Sequence, residues 1–406
     1  MNRTAIPSMT HPSAAPLSGR PAQGASGRSN PGLARNERSW IGRWWLTLDH
    51  SFFFCTLVLL AIGALVVLSA SPSAAARFET GLFHFSKRHM LFLSIGLTLL
   101  LITSTLNWRQ LRWLAQVSVP LGLLALLYVL LFEEAVGGAT RWISVGGYFT
   151  IQPIEFLKPM LMLFCAQQLA ALAMPDSRAR IFWLGAIIGL VMILLWMQPD
   201  IGQMMLISLS IGLMLFVAGT RQLLLFIGGG SALGILAVLA FIFQRHVYKR
   251  VNEHIQELFG GGSPDVITQE DIAQRTISLL GVGPGEGTIK DHLPAAHTDY
   301  VLAVIAEEMG VVVCVAIIGI FGYLLARLFR RLNQEQELFH FLAMVGLGGM
   351  LFLQMLINAL STFRLIPTTG MTLPLVSYGG SSLLASCLSI GMLLALMRSR
   401  QESRYG

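Results

Sequence analysis

Long apolar runs leave this chain little choice of fold. A helix needs about 20 apolar residues to cross the hydrocarbon core of a bilayer. Ten such runs can be read: 51–70, 90–106, 113–132, 154–174, 181–197, 202–219, 222–243, 300–325, 338–363 and 377–397. Lipid offers the backbone no water, so a crossing segment must be a helix or part of a closed barrel. Barrel strands would alternate apolar and polar residues over short stretches, whereas these runs are continuously apolar. The expected fold is all-α, a polytopic bundle of about ten transmembrane helices. Composition agrees, with 54% hydrophobic and 12% charged residues.

Orientation is read from Lys and Arg in short loops, which accumulate on the cytoplasmic side. Arg109 and Arg112, Arg178 and Arg180, Arg221, the trio Arg327, Arg330 and Arg331, and Arg398, Arg400 and Arg404 fall on one side. Arg35, Arg38 and Arg43 precede the first span on that same side. The opposite side carries Arg77, Lys87, Arg88, Arg141 and Arg364, so the bias is imperfect. Both termini are expected in the cytoplasm. The formal net charge of +7 is mostly this bias. No basic surface is interleaved with stacking aromatics, so nucleic-acid binding is not expected. Cys55, Cys165, Cys314 and Cys387 fall within spans and lack CxxC spacing, which reads as packing rather than disulfide or zinc chemistry.

Residues 1–39 are rich in Pro, Ser, Gly, Ala and Arg without apolar periodicity and are expected to be a disordered cytoplasmic tail. An Arg-rich, acid-poor start can mimic a transit peptide, but a solvated tail is the simpler reading. A signal peptide is not expected, because the first apolar run is long enough to span and starts far from the terminus. Trp40, Trp44 and Trp45 beside Arg43 suggest an aromatic anchor at the membrane surface. The membrane domain is expected over 40–397, with a second tail at 398–406. One large loop, 244–298, holds Val247, Val251, Ile255 and Leu258 at helical spacing, an expected amphipathic helix. A Gly-rich run, Gly281–Gly287, reads as a mobile hinge or a contact to a lipid phosphate rather than a nucleotide loop.

Four polar stretches interrupt the apolar pattern, all at helix ends on the side opposite the termini: 137–158, 198–203, 293–308 and 364–382. Ionisable groups at membrane depth cost roughly 2.5–3.5 kcal/mol each and usually mark a pathway or a site. Their convergence predicts one polar cavity. Asp299, preceded by His297 and Thr298, stands at the start of the eighth span. It can cap that helix or serve as a general base. Glu307 and Glu308 follow about two turns deeper. The helical step of roughly 100° points them in different directions, so one at most shares the cavity; Glu307 is favoured, with Glu308 paired to another helix. Glu155 and Lys158, at i and i+3, can pair on one face. That pair reads either as a structural ion pair or as a cation offered to an anionic substrate and positioned by Glu155. Arg141 beside Trp142 adds a second cation suited to phosphate. Asp200, in a very short connection, either caps the next helix or faces the cavity to hold Lys158 or a divalent ion such as Mg²⁺ or Mn²⁺. Ser377, Gly379, Gly380 and Ser381 open the last helix, where backbone N–H groups bind anions readily. Three functions fit: an enzyme on a lipid-linked phosphate substrate, a lipid flippase, or a transporter of an anionic solute.

The segments GATRWISVGG, QPIEFLK, QPDIGQ, GPGEGTIKDHLPAAHTDYVLAVIAEEMG and PTTGMTLPLVSYGGSSLL, in this order, resemble the signature of the SEDS family (shape, elongation, division and sporulation). The likeness runs from about residue 44 to 397. IGRWWLTLDH, FHFSKRH and GPGEG are more similar to the cell-division branch than to the elongation branch. The resemblance implies a ten-helix peptidoglycan glycosyltransferase of the bacterial inner membrane, at the division septum, that polymerises lipid II, an undecaprenyl-pyrophosphate-linked disaccharide pentapeptide. It implies Asp299, the Asp of the HTD motif, as the essential catalytic residue, acting as the base, with Glu155 and Lys158 lining the same cavity. It further implies a class B penicillin-binding protein transpeptidase and other division proteins as partners. Ala295, where the family often has Glu, and Tyr300, where it often has Phe, depart from the pattern. A lipid II flippase and a non-catalytic division scaffold are the alternatives.

Overall fold

The computed structural model describes residues 39–77, 81, 83–134, 140–146, 149–171, 178–219, 248, 252, 255, 278–288, 290, 298–363, 365–367 and 369–405. Outside them lie nearly all of the expected disordered tail, the expected seventh span at 222–243, most of the 244–298 loop with its amphipathic helix, and His297. The chain divides into two compact units, 1–46 and 47–406. In the first, Ser39 Oγ accepts the Gly42 N–H at 2.9 Å and so caps α1 (Trp40–Thr47). The second carries everything that follows.

Its helices are α2 (His50–Arg77), α3 (His84–Ser104), α4 (Trp108–Phe132), α5 (Pro153–Ala171), α6 (Arg178–Met197), α7 (Ile201–Ala218), α8 (Val301–Glu308), α9 (Val311–Leu332), α10 (Leu338–Thr362) and α11 (Gly380–Tyr405). Among the described residues, seven helices are long and apolar enough to cross a membrane: α2, α3, α4, α7, α9, α10 and α11. Phe182–Met197 is a shorter apolar helix. Leu121, Leu124, Leu131 and Phe132 of α4 are exposed, as lipid-facing side chains should be when the backbone bonds are satisfied within the helix. α10 and α11 are the innermost: α11 runs along α3, and α10 packs against α5 and α7.

The bundle has two chemically distinct ends. At one, Arg327 Nε donates to both carboxylate oxygens of Asp49 at 2.8 and 3.0 Å, and Arg331 lies 3.5 Å from the same group. Arg112 pairs with Glu337 at 3.0 Å, and Arg398 donates to the Thr105 carbonyl at 3.0 Å. These are the arginines that the loop-charge argument placed together. The opposite end holds the polar stretches.

Four details differ from expectation. The eighth span is two helices, α8 and α9, separated at Met309–Gly310. Gly310 has φ +86°, and a Cβ there would meet the Leu279 carbonyl oxygen at 2.2 Å, so only glycine lets the two backbones touch. Gly281, at φ +76°, packs from the other side against the Glu308 carbonyl. The expected hinge at 281–287 is thereby anchored: the N–H groups of Val282 and Gly283 donate to the carbonyls of Glu307 and Glu308 at 2.9 and 3.0 Å. The third difference is a small antiparallel hairpin between α4 and α5, β1 (Ile143–Val145) with β2 (Phe149–Ile151), pairing Ile143 with Ile151 and Ser144 with Thr150. Finally, α11 begins at Gly380 and continues through the expected tail to Tyr405, with Arg398 buried.

Candidate functional site

At the polar end, five segments meet: the hairpin and start of α5, the α6–α7 connection, the start of α8, the C-terminal half of α10, and the irregular 369–379 segment leading into α11.

Pro153 opens α5, a position where its missing N–H costs nothing, and brings Glu155 and Lys158 into the interior. Lys158 Nζ lies 3.0 Å from Glu155 Oε2, and the side chains are 1% and 6% exposed. Gln203 of α7 donates to Glu155 Oε1 at 2.7 Å, and Lys158 donates to Gln354 Oε1 of α10 at 3.4 Å. Two opposite charges this buried persist only when paired and further hydrogen-bonded, which is the arrangement seen.

Asp200 precedes α7 and is buried. Gln152 Nε2 donates to its Oδ2 at 3.3 Å, and Arg141 Nη1 stands 3.7 Å from its Oδ1. Burial pushes the Asp200 carboxyl above the ordinary range, opposed by the Arg141 cation. Arg141 also donates to the Pro199 carbonyl, while its Nε is buried with no hydrogen-bond partner. Trp142 next to it is exposed. Gly202 lets α7 approach the 369–371 turn; a Cβ there would lie 2.7 Å from the Thr369 carbonyl oxygen.

Asp299 stands one residue before Tyr300, the N-cap of α8, and is partly exposed, as is Thr298. Its Oδ2 is 3.9 Å from where a Cβ on Gly370 would sit, so the carboxylate lies beside the 369–371 turn. Its backbone carbonyl accepts from Asn358 Nδ2 at 2.9 Å, and the same nitrogen donates to the Met371 carbonyl at 2.7 Å. One turn earlier on α10, Gln354 Nε2 donates to the Thr372 carbonyl at 3.0 Å. Asp299, Asn358, the 371–372 carbonyls, Gln354, Lys158, Glu155 and Gln203 therefore form one continuous polar chain. Gln152 joins Asp200 to the last helix, since its backbone N–H donates to Ser381 Oγ at 3.0 Å.

Ser377, Gly379, Gly380 and Ser381 shape the irregular segment. Ser377 Oγ accepts the Leu373 N–H at 2.9 Å, and Thr372 and Ser382 hydroxyls meet at 2.5 Å. Gly380 packs against the Phe92 ring, where a Cβ would come within 2.7 Å. Glu307, expected to share the cavity, instead accepts from the Thr288 N–H at 2.9 Å and from its hydroxyl at 3.3 Å. Glu308 pairs with Lys290 at 2.7 Å and accepts from Ser69 of α2. Both carboxylates hold the end of the large loop against the α8–α9 break.

The residues that link the charged groups were not foreseen, and they are amides: Gln152, Gln203, Gln354 and Asn358. Gln354 and Asn358 at i and i+4 in an otherwise apolar helix were the available signal, because such pairs face neighbouring helices. For a divalent ion, the donor set around Asp200 fits poorly. Its carboxylate already faces Gln152 and Arg141, and among the described residues no group of three or more His, Cys, Asp or Glu is placed to hold a metal.

Residues 49–402 match the family model for the FtsW, RodA and SpoVE cell cycle proteins. A relative from Caulobacter vibrioides, named "Probable peptidoglycan glycosyltransferase FtsW", is 36% identical over 92% of this chain and 95% of its own length. One of the same name from Coxiella burnetii is 33% identical over 88% of this chain and 96% of its own. Among solved structures, a chain of a peptidoglycan synthase complex described as coordinating polymerization and crosslinking superposes with a TM-score of 0.70 at 31% identity, covering 88% of this chain and 99% of that one. The Thermus thermophilus rod shape determining protein RodA gives 0.64 at 30% identity, covering 88% and 98%. The chain belongs to the FtsW, RodA and SpoVE family of cell cycle proteins, on the strength of both the matched length and the shared fold.

Proposed function

We propose that this protein is a peptidoglycan glycosyltransferase that polymerises lipid II during septal cell-wall synthesis, with Asp299 as its catalytic base. The observation that carries the reading is the polar chain that ties Asp299 to the buried Lys158–Glu155 pair through α10 and the 369–372 turn. In this reading Asp299 accepts the proton of the acceptor sugar's 4-hydroxyl while that oxygen attacks the donor's anomeric carbon. The bond from that carbon to the undecaprenyl pyrophosphate breaks, and displacement inverts an α-linked donor into a β-linked strand. Charge develops on the departing pyrophosphate. In this reading Arg141, whose side chain is 20% exposed, meets it. Lys158 is sealed from solvent, so it acts through its field and by holding Glu155 rather than by touching the phosphate. Backbone N–H groups at the start of α11, around Gly379, Gly380 and Ser381, favour the same anion.

The polar end faces the periplasm in this reading, with the arginine-rich end and both termini in the cytoplasm, as the loop charges favour. A class B penicillin-binding protein transpeptidase is the proposed partner, supported by the likeness to a chain of a peptidoglycan synthase complex; other division proteins would assemble with the pair. A lipid II flippase would use the same cavity but needs no base at one face.

The separating experiment incubates the purified protein, with and without its transpeptidase, with labelled lipid II in detergent, where there are no two membrane sides. Glycan polymer is the expected product. Failure to form polymer under all conditions, together with transbilayer movement of lipid II in vesicles, would replace the polymerase by the flippase.

A further inference from the structure

Asn358 and Gln354 carry no charge, yet they grip the irregular segment at two consecutive carbonyls, Met371 and Thr372. A side-chain amide nitrogen has two hydrogens. In Asn358 one goes to the Met371 carbonyl at 2.7 Å and the other to the Asp299 carbonyl at 2.9 Å. Reversing the amide would turn its oxygen toward two carbonyl oxygens, so the assignment is chemically fixed. Asn358 is 1% exposed. The helix that bears it is itself clamped, because Gly346 and Gly349 of α10 lie tight against Met214 and Leu213 of α7.

We propose that Asn358 is a positioning residue for the sugar-transfer step, locking the backbone of Asp299 to the 369–372 turn so that the carboxylate keeps one pose beside Gly370. This rests on the reading of Asp299 as the base. A change in the pose of a reacting group by about 1 Å can cost 10²-fold in rate, and the Asn358 amide bridges the Asp299 carbonyl to that turn directly. Gln354 does the corresponding work at the other end, holding Thr372 and accepting from Lys158.

The test measures polymerisation of lipid II by purified, folded variants over a range of substrate concentrations. Asn358→Asp keeps the shape but loses both donors. Its kcat should fall ten- to hundredfold with KM within about twofold, because the base is displaced while the lipid contacts stay. Asn358→Ser keeps one donor in a smaller side chain and should recover part of the loss. If Asn358→Asp does not fold, Asn358→Ser decides: an intermediate kcat with unchanged KM supports the role. Wild-type kcat in either folded variant overturns it, as does a loss that appears only in KM. Asp299→Asn runs alongside. If it is inactive while the Asn358 variants behave as wild type, only this inference fails; if it is active, the base assignment itself fails.

Discussion

Replacing Lys158 by Met separates what the buried ion pair does for folding from what it does for chemistry. The pair is 3.0 Å apart with side chains 1% and 6% exposed, so removing the ammonium leaves a buried Glu155 carboxylate without its cation, still accepting from the Gln203 amide. Stranding one member of such a pair costs about 3–5 kcal/mol, whereas replacing both by apolar or neutral groups of similar volume is often neutral or stabilising. Lys158→Met and Glu155→Gln should each lose stability on that scale or somewhat below it. The combined variant should regain most of the loss, with a coupling energy of about 2 kcal/mol or more in the double-mutant cycle. Equilibrium unfolding of the detergent-solubilised protein, followed by tryptophan fluorescence, reads this directly. Polymerisation of lipid II by the rescued double variant then reads the chemistry, and the field argument expects it to be at least tenfold slow. A double variant no more stable than Lys158→Met would refute the reasoning about burial. Wild-type polymerisation by it would reduce the pair to architecture.

Other perturbations test other parts. Gly310→Ala forces a Cβ to within 2.2 Å of the Leu279 carbonyl oxygen at φ +86° and should lower stability by about 2 kcal/mol or more, measured by thermal melting. Lys290→Ala removes the cation beside the buried Glu308; it should cost about 3 kcal/mol and make the 278–290 segment more sensitive to limited proteolysis. The raised Asp200 pKa means the folded state binds a proton more tightly than the unfolded chain. Its contribution is therefore most favourable below the unfolded value near 3.9 and declines as pH climbs through the folded one. Asp200→Asn should flatten that decline, seen as a smaller drop in melting temperature between acidic and neutral pH than in wild type.

Much of the bundle was legible because lipid demands continuous apolar helices, and a run such as Leu338–Thr362 has no competing reading. The break at Gly310 was not, since Val304–Ile305 and Val311–Val313 are equally apolar on either side and hydropathy carries no information about φ. The hairpin at 143–151 was hidden for a related reason: three-residue strands are too short to establish a period. At the site, charge led to Asp299, Glu155, Lys158, Asp200 and Arg141; hydrogen bonds run from Asp299 to the Lys158–Glu155 pair, while Asp200 and Arg141 face each other beside Gln152. Charge also pointed to Glu307, whose carboxylate binds Thr288 instead. Helical angle alone could not resolve this, because the partner comes from a loop with no regular geometry. The amides that join the charged groups went unnoticed, although Gln354 and Asn358 share a face of α10.

The most direct test of the account is the rate at which Asp299→Asn, nearly identical in shape to the native side chain, polymerises lipid II. A general base contributes about 10²–10⁴-fold, so the variant should bind substrate and melt like the native protein while making glycan at least a hundredfold more slowly. Polymer formed at the native rate would contradict the central claim.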